Sequence, residues 1–484
     1  MSRARITAIF NPVSGGGAAA HIIPRATQLL RTHDSDLIVE KRRIPDAAGR
    51  RAAILESTAN ATHVFIGGGD GTIANAIGVT MQGAAGPQIT SLQTAKTELD
   101  GYAVPEQVKA YVGVGMGSAQ DVQATVGFPK PKGLARFLDK PEGKRDVFDV
   151  GALWMVHKDN DGKQVASLAL HSITAGVVAR VFQRYDNAVE RFRAKPGRED
   201  TPLPIHLGTI VGRFLQGIPA GLNAFLKPNV VYSVHKKGGE EKFFPSTAGF
   251  AVFPMLIAGS TAGLPDVYPI AGDDFRALVV VLTPVEMLFI AGELMARGTL
   301  AKKLGFSSLI GPDAGNWSIS LTRNLRRFFG MRDDRFFTIT HDDEVRVKMF
   351  RQTSKYNPHS KSRGLEEGAL PVCLNGDNLP YSIHEFLVVA GHKDQTFPMM
   401  GASNSVLGKI KQRVDAKNLM LEQKSAVEDA IRKRFPSWRD YFKRTALMRK
   451  MNEMSARKWQ RFVRALEFNP SGDDFAEKAL DGLL

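Results

Sequence analysis

Apolar and polar positions change their period twice along the chain, and the changes divide it into three stretches. In the first, short apolar runs alternate with segments of helical spacing. Residues 5–10 form an apolar run that stops at Asn11-Pro12, and Ile22, Ile23, Ala26, Leu29 and Leu30 then recur at helical intervals. Residues 37–40 predict a second strand and residues 50–57 a helix. Residues 63–66 predict a third strand, broken by Gly67-Gly68-Gly69-Asp70-Gly71, after which Ile73, Ala76 and Ile77 restart a helix. Residues 110–114 predict another strand that runs into Gly115-Met116-Gly117-Ser118. Strands separated by helices predict an α/β domain with a parallel sheet.

Near residue 145 the texture becomes β-rich. Strands are expected at 147–150, 165–174, 230–234, 250–257, 278–282, 336–339, 345–350 and 387–389. An apolar insert at 205–225 is suited to covering a lipid site. From about Ser403 the pattern turns helical and basic. The expected domains are therefore 1–145, 146–400 and a helical extension, 401–484.

Net charge adds a constraint. The 484 residues carry a formal charge of +15. Attraction to an anionic surface explains such an excess, and solubility alone does not require it. Between Arg432 and Arg464 twelve cations face only Asp440 and Glu453, with Trp438, Tyr441, Phe442, Trp459 and Phe462 interleaved. This suits an interfacial helix on anionic lipid, or equally a packed helical cap with a solvated basic face. No recognition motif accompanies the charge, so nucleic acid is not expected as a partner.

Cys373 is the sole cysteine. It can form no internal disulfide, and its apolar neighbours predict a buried thiol. Residues 6–10 are too short for a signal-peptide core. Residues 243–265 carry no charge, but three prolines and three glycines favour strands and turns over a membrane span.

Three loops repeat one arrangement of strand, glycine turn and helix. They are Asn11-Pro12-Val13-Ser14-Gly15, Gly67-Gly68-Gly69-Asp70-Gly71-Thr72 and Gly113-Val114-Gly115-Met116-Gly117-Ser118. Glycine lets backbone N–H groups approach phosphate oxygens, and the helix that follows adds a favourable dipole. None ends in the Gly-Lys-Ser/Thr of a P-loop, and none fits the dinucleotide fingerprint. Asp70 is either a turn residue or a carboxylate that meets Mg²⁺ or a reacting hydroxyl. His63 and His171 are expected to be structural.

These motifs, in this order, resemble the diacylglycerol kinase catalytic family, which also contains sphingosine and ceramide kinases. Asn11-Pro12-x-Ser14-Gly15 is similar to its first phosphate loop, and Gly68-Gly69-Asp70-Gly71-Thr72 matches its Gly-Gly-Asp-Gly-Thr signature. Gly115 to Asp121, followed by Gly127-Phe128-Pro129, is similar to its Gly-Thr-Gly-Asn-Asp loop. Asp149-Val150-Gly151, the segment 269–274 and Asn375-Gly376-Asp377 follow in register, the last where the family carries Asp-Gly-Glu. NAD kinases share the Gly-Gly-Asp-Gly-Thr element alone.

The resemblance implies an N-terminal α/β domain with a β-sandwich-like second domain, and ATP with Mg²⁺ in the cleft between them. It also implies transfer of the γ-phosphoryl group to a lipid hydroxyl, by a cytoplasmic enzyme peripheral to the inner membrane surface. Carried over, Asp377 is the base and Asp70 acts near the phosphates and Mg²⁺ or shares that role. The glycine-loop residues, Gly117 and Ser118 included, hold nucleotide, and Asp121 contacts substrate. Two departures stand out. The third loop is two residues longer before Asp121, and Asn375 replaces an acid. A catalytically weak lipid-binding relative and an NAD kinase-like phosphotransferase are the alternatives.

Overall fold

A computed structural model describes residues 5–12, 14, 19–33, 38–41, 47–84, 89–116, 121–138, 145–198, 204, 219, 230–245, 248–254, 276–282, 336–353, 364–392, 394–437, 440–466 and 475–484. The first part runs β1 (Ile6–Phe10), α1 (Ala19–His33), β2 (Ile38–Lys41), α2 (Ala47–Thr58), β3 (His63–Gly68), α3 (Asp70–Gln82), α4 (Ala95–Leu99), β4 (Ala110–Gly115), α5 (Asp121–Val126), α6 (Leu134–Leu138) and β5 (Arg145–Gly151). The middle runs β6 (Leu153–Lys158), β7 (Gln164–Leu168), β8 (Ile173–Gly176), α7 (Val177–Arg193), β9 (Val230–Lys236), β10 (Lys242–Pro245), β11 (Gly249–Pro254), β12 (Arg276–Leu282) and β13 (Phe336–Thr340). It continues with β14 (Glu344–Gln352), β15 (Leu365–Glu367), β16 (Leu370–Leu374), β17 (Asp377–Ile383), β18 (Glu385–Ala390) and β19 (Thr396–Ala402). Helices α8 (Val406–Arg434), α9 (Tyr441–Asn452), α10 (Ala456–Ala465) and α11 (Phe475–Leu483) close the chain.

The first sheet has the order β2-β1-β3-β4-β19-β5. Its first five strands are parallel, but β5 runs antiparallel to β19. The sheet is thus mixed rather than purely parallel. β5 and β19 fall in the β-rich stretch of the sequence, yet both sit in this sheet, because chain order does not constrain which edge a late strand joins. Near-continuous apolar strands are what a sheet covered on both faces requires. Ala8, Phe10, Phe65, Val112 and Val114 meet Ile23, Ala26 and Leu30 of α1 on one face. Val64, Ile66 and Tyr111 meet Ile73 and Ile77 of α3 on the other.

Two further sheets form the β-rich region. One has the order β10-β9-β14-β18-β6-β7 with β15 on β14, and the other β13-β12-β11-β8-β16-β17. Alternation along β6 and β18 assigns their faces. Leu153, Met155, Phe386 and Val388 join Ile173, Phe250, Val279 and Val372 of the facing sheet in a sandwich core. Trp154, Val156, Leu387 and Val389 point the other way and pack with α3. Helix α3 is therefore held between the first sheet and the sandwich. The single strand expected over 165–174 is two, β7 in one sheet and β8 in the other. Within the uncharged 243–265 stretch, the described residues are the end of β10 and β11. No helix among the described residues is long and apolar enough to cross a membrane. The apolar insert at 205–225 and the segment 269–274 lie outside the described residues, apart from an isolated helical position in the insert.

Residues 409–484 form a second compact unit. Its core gathers Val427 and Ile431 of α8, Leu447 and Met451 of α9, Trp459 and Val463 of α10, and Leu480 and Leu483 of α11. The Trp459 indole is 1% exposed and donates to Gln423 Oε1 at 2.9 Å. Ser455 caps α10 by accepting from the Lys458 amide.

Candidate active site

The parallel pairing β1-β3-β4 aligns Phe10 with Gly67, and Gly68 with Gly115. The three glycine loops thus leave the carboxyl ends of three adjacent strands on one edge, where ligands bind in open α/β sheets. Backbone bonds join them. The Asn11 amide donates to the Gly67 carbonyl at 2.8 Å, and the Met116 amide to the Gly68 carbonyl at 2.9 Å. Asn11 Nδ2 donates to Thr72 Oγ1 at 3.0 Å, tying the first loop to the opening turn of α3. Ser14 closes the first turn, its amide donating to the Asn11 carbonyl at 3.3 Å.

Helix α3 starts directly after the second loop, with Gly69 at its N-cap and no side-chain cap bond. The first helical amides have no partner within a helix and carry the positive end of its dipole. Asp70, 6% exposed, stands at this end. Two glycines stand at points of close approach. A methyl group on Gly68 would come within 2.5–2.7 Å of the Thr72 side chain. One on Gly71 would strike the Asp377 carboxylate.

Asp377 belongs to the sandwich, far from Asp70 in sequence, yet its carboxylate lies over the residue next to Asp70. It opens β17 and is exposed. The turn before it is built to place it. Asn375 has φ 54° and Gly376 φ 83°, so both occupy the left-handed region, where Asn and Gly are best tolerated. Asn375 is buried, and its Oδ1 accepts from the Leu170 and His171 amides at 2.8 and 3.0 Å. Its Nδ2 donates to the Leu168 carbonyl at 2.8 Å, and its own amide to the Ser172 carbonyl at 2.7 Å. Asn375 therefore binds the connection that carries the chain from β7 to β8. It is a structural pin, and sequence alone marks it only as a departure from an acid.

Asn378 is the next residue. Its Oδ1 accepts from Cys373 Sγ at 2.6 Å, and its Nδ2 donates to Asp186 of α7. Cys373 is buried, as its apolar neighbours predict. His171 bonds Ser172 Oγ through Nδ1 at 2.8 Å.

The structure thus brings together Asn11, Pro12, Ser14, Gly68, Gly69, Asp70, Gly71, Thr72, Gly115 and Asp377. Gly15, Gly117 and Ser118 lie outside the described residues, and of Asp121 only the backbone is described, opening α5. A single carboxylate at the helix start can contribute to Mg²⁺, which takes its other ligands from phosphates and water, and Asp70 is the residue placed to give it.

Edge loops on parallel strands, a helix start and an approaching carboxylate are parts from which a phosphoryl-transfer site can be built. Residues 5–97 match the family described as "Diacylglycerol kinase catalytic domain". No curated protein matches the chain in sequence. Among solved structures, a diacylglycerol kinase from Bacillus anthracis str. Sterne is similar at 12% identity, covering 82% of this chain and 97% of that one, with a TM-score of 0.45. A yeast NADH kinase complexed with NADH is similar at 12% identity, covering 84% and 87%, with a TM-score of 0.38.

Proposed function

We propose that the protein is an ATP-dependent lipid kinase that phosphorylates the hydroxyl of a diacylglycerol, ceramide or sphingoid base at a membrane surface. The observation that carries this is the Asp377 carboxylate over Gly71, beside the phosphate-facing start of α3. Phosphoryl transfer is mostly positioning and charge neutralisation. The three loops bind the nucleotide phosphates through backbone N–H groups. Asp377, exposed and lying over Gly71, accepts the proton of the lipid hydroxyl. The hydroxyl oxygen bonds to the γ-phosphorus, the bond from that phosphorus to the β–γ bridging oxygen breaks, and ADP leaves with the electron pair. Mg²⁺, when held by Asp70 and the nucleotide phosphates, neutralises the charge of the transferring group.

Asn375 bears on the weak-relative alternative. Its side chain is spent on three backbone groups, so an acid missing there removes no reacting group from the open edge. The lipid is reached from the cytoplasmic face, and the basic helical unit supplies attraction to an anionic membrane.

Transfer of labelled γ-phosphate from ATP to diacylglycerol, ceramide, sphingosine and NAD⁺ tests this. A labelled lipid is expected, with the signal lost in Asp377→Ala. Label in NAD⁺ alone would instead make the protein an NAD kinase-like phosphotransferase. ATP binding without transfer to any acceptor would favour a lipid-binding relative.

A further inference from the structure

The aromatic side chains of the helical unit divide into two sets. Trp459 is in the core, whereas Phe442 is 83% exposed and Tyr441 53% exposed. Helix α9 explains the division. Leu447 and Met451 lie on its inner face and join the core of the unit. Phe442, Lys443, Thr445, Ala446, Arg449 and Lys450 are all exposed. At 100° per residue, Thr445, Ala446 and Arg449 cluster around Phe442 on the face opposite Leu447 and Met451, with Lys443 and Lys450 at its margin, and Lys450 Nζ donates to the Leu483 carbonyl at 2.6 Å. No acidic residue occurs within Tyr441–Asn452. Arg432, Lys433 and Arg434, at the end of α8, are exposed as well.

Some of this charge is paired within the unit. Arg432 meets Glu428, Arg434 meets Asp481, and Arg449 meets Glu453. Lys433 and Lys443 have no ion pair among the described residues. Lys443 Nζ stands 5.9 Å over the Phe435 ring, and the Arg444 guanidinium 6.0 Å over the Tyr441 ring. Phe442 contacts Tyr441 edge to face at 5.7 Å, which leaves most of its own ring open.

An open Phe on the outer face of a helix adds nothing to the core beneath it. A single apolar tip flanked by cations fits a bilayer boundary, where the ring leaves water while the cations stay at the level of lipid phosphates. Single-stranded nucleic acid instead uses several open rings as successive stacking platforms. Here Phe442 is the one largely open ring of the described part of α9, Tyr441 being half-exposed with the Arg444 guanidinium over it.

We propose that the outer face of α9 docks on an anionic bilayer, with Phe442 inserted at the acyl boundary and Lys433 and Lys443 facing lipid phosphates. This deepens the lipid-kinase reading, on which it rests, by naming the contact that brings the enzyme to its substrate. The test is sedimentation of the full chain with vesicles of phosphatidylcholine alone, or of phosphatidylcholine mixed with phosphatidylserine.

Binding is expected only with phosphatidylserine and should weaken as salt is raised. Phe442→Ser should weaken it about tenfold, the effect of withdrawing one aromatic side chain from an apolar contact. Phe442→Trp should keep it and gain blue-shifted emission on the vesicles. Equal binding by wild type and Phe442→Ser, or no sedimentation with phosphatidylserine, would overturn the proposal. So would tighter Phe442-dependent binding to a single-stranded oligonucleotide, which would make the face a nucleic-acid site. Phosphorylation of a dispersed short-chain diacylglycerol should survive Phe442→Ser. Its loss in Asp377→Ala, with vesicle binding intact, separates failure of the kinase reading from failure of this one.

Discussion

Gly71 is a residue whose absent side chain does the placing. Alanine there is the better helix former by up to about 1 kcal/mol, which tends to stabilise α3. The same methyl group occupies the space of the Asp377 carboxylate. Gly71→Ala is therefore expected to hold or raise thermal stability while lowering turnover by about a hundredfold, the scale of a misplaced reacting group. Melting temperature and kcat measured on one preparation would show the two effects moving apart; a joint fall would mean that the glycine matters to the fold alone. His157 carries a different prediction. Burial holds its imidazole below the ordinary histidine range, partly offset by its bond to the Lys158 carbonyl and by Asp159. With Nδ1 donating to that carbonyl, Nε2 is buried and finds no hydrogen bond among the described residues. The folded state thus favours the neutral ring, while the unfolded chain titrates near about 6.5. The contribution is fully present above that pH and is lost as pH falls through it towards the folded value. Urea midpoints should drop below about pH 6.5 in wild type, and less steeply in His157→Gln.

At the scale of elements, the turn between β16 and β17 is coupled to the crossing from β7 to β8 through Asn375. Apolar run lengths made residues 165–174 look like one strand, because a short turn with few glycines or prolines leaves no break in hydrophobicity. What breaks it is a side chain from two hundred residues away in sequence, which takes up the Leu168, Leu170 and His171 backbone groups. Local pattern cannot carry that information. By contrast, the three glycine loops were legible, since strand, turn and helix follow one another in sequence. Asn375→Ala would leave these buried groups without partners and put alanine in a left-handed conformation. A loss of about 2–4 kcal/mol is expected in denaturant unfolding, with Asn375→Asp intermediate because it keeps the acceptor and loses the donor. A stable Asn375→Ala that had lost only turnover would make Asn375 a reacting group after all.

Over the whole molecule, the site exists because the sandwich brings Asp377 to a helix start built by the first residues of the chain. The residue types of both halves could be read from sequence, and their meeting could be expected only through family resemblance. The return of β19 to the first sheet had no such signal: its alternating apolar residues fit any sheet. Gln395 shows how the return is fixed. Its Nε2 donates to the Tyr102 carbonyl at 3.0 Å and to that of Leu99, and its Oε1 accepts from Trp154 Nε1 at 3.1 Å. One buried amide thus joins the loop before β19 to the α4 region and to the sandwich strand β6. Gln395→Ala strands these partners and should cost about 2–3 kcal/mol. The loss should be confined to one unit of the chain, because Trp154 lies in the core shared by the first sheet and the sandwich, whereas Trp459 lies in the separate core of the helical unit. In variants retaining only one of these tryptophans, Gln395→Ala should lower the unfolding midpoint read at Trp154 and leave that read at Trp459 in place. Equal shifts at both would mean that the two cores melt as one cooperative body.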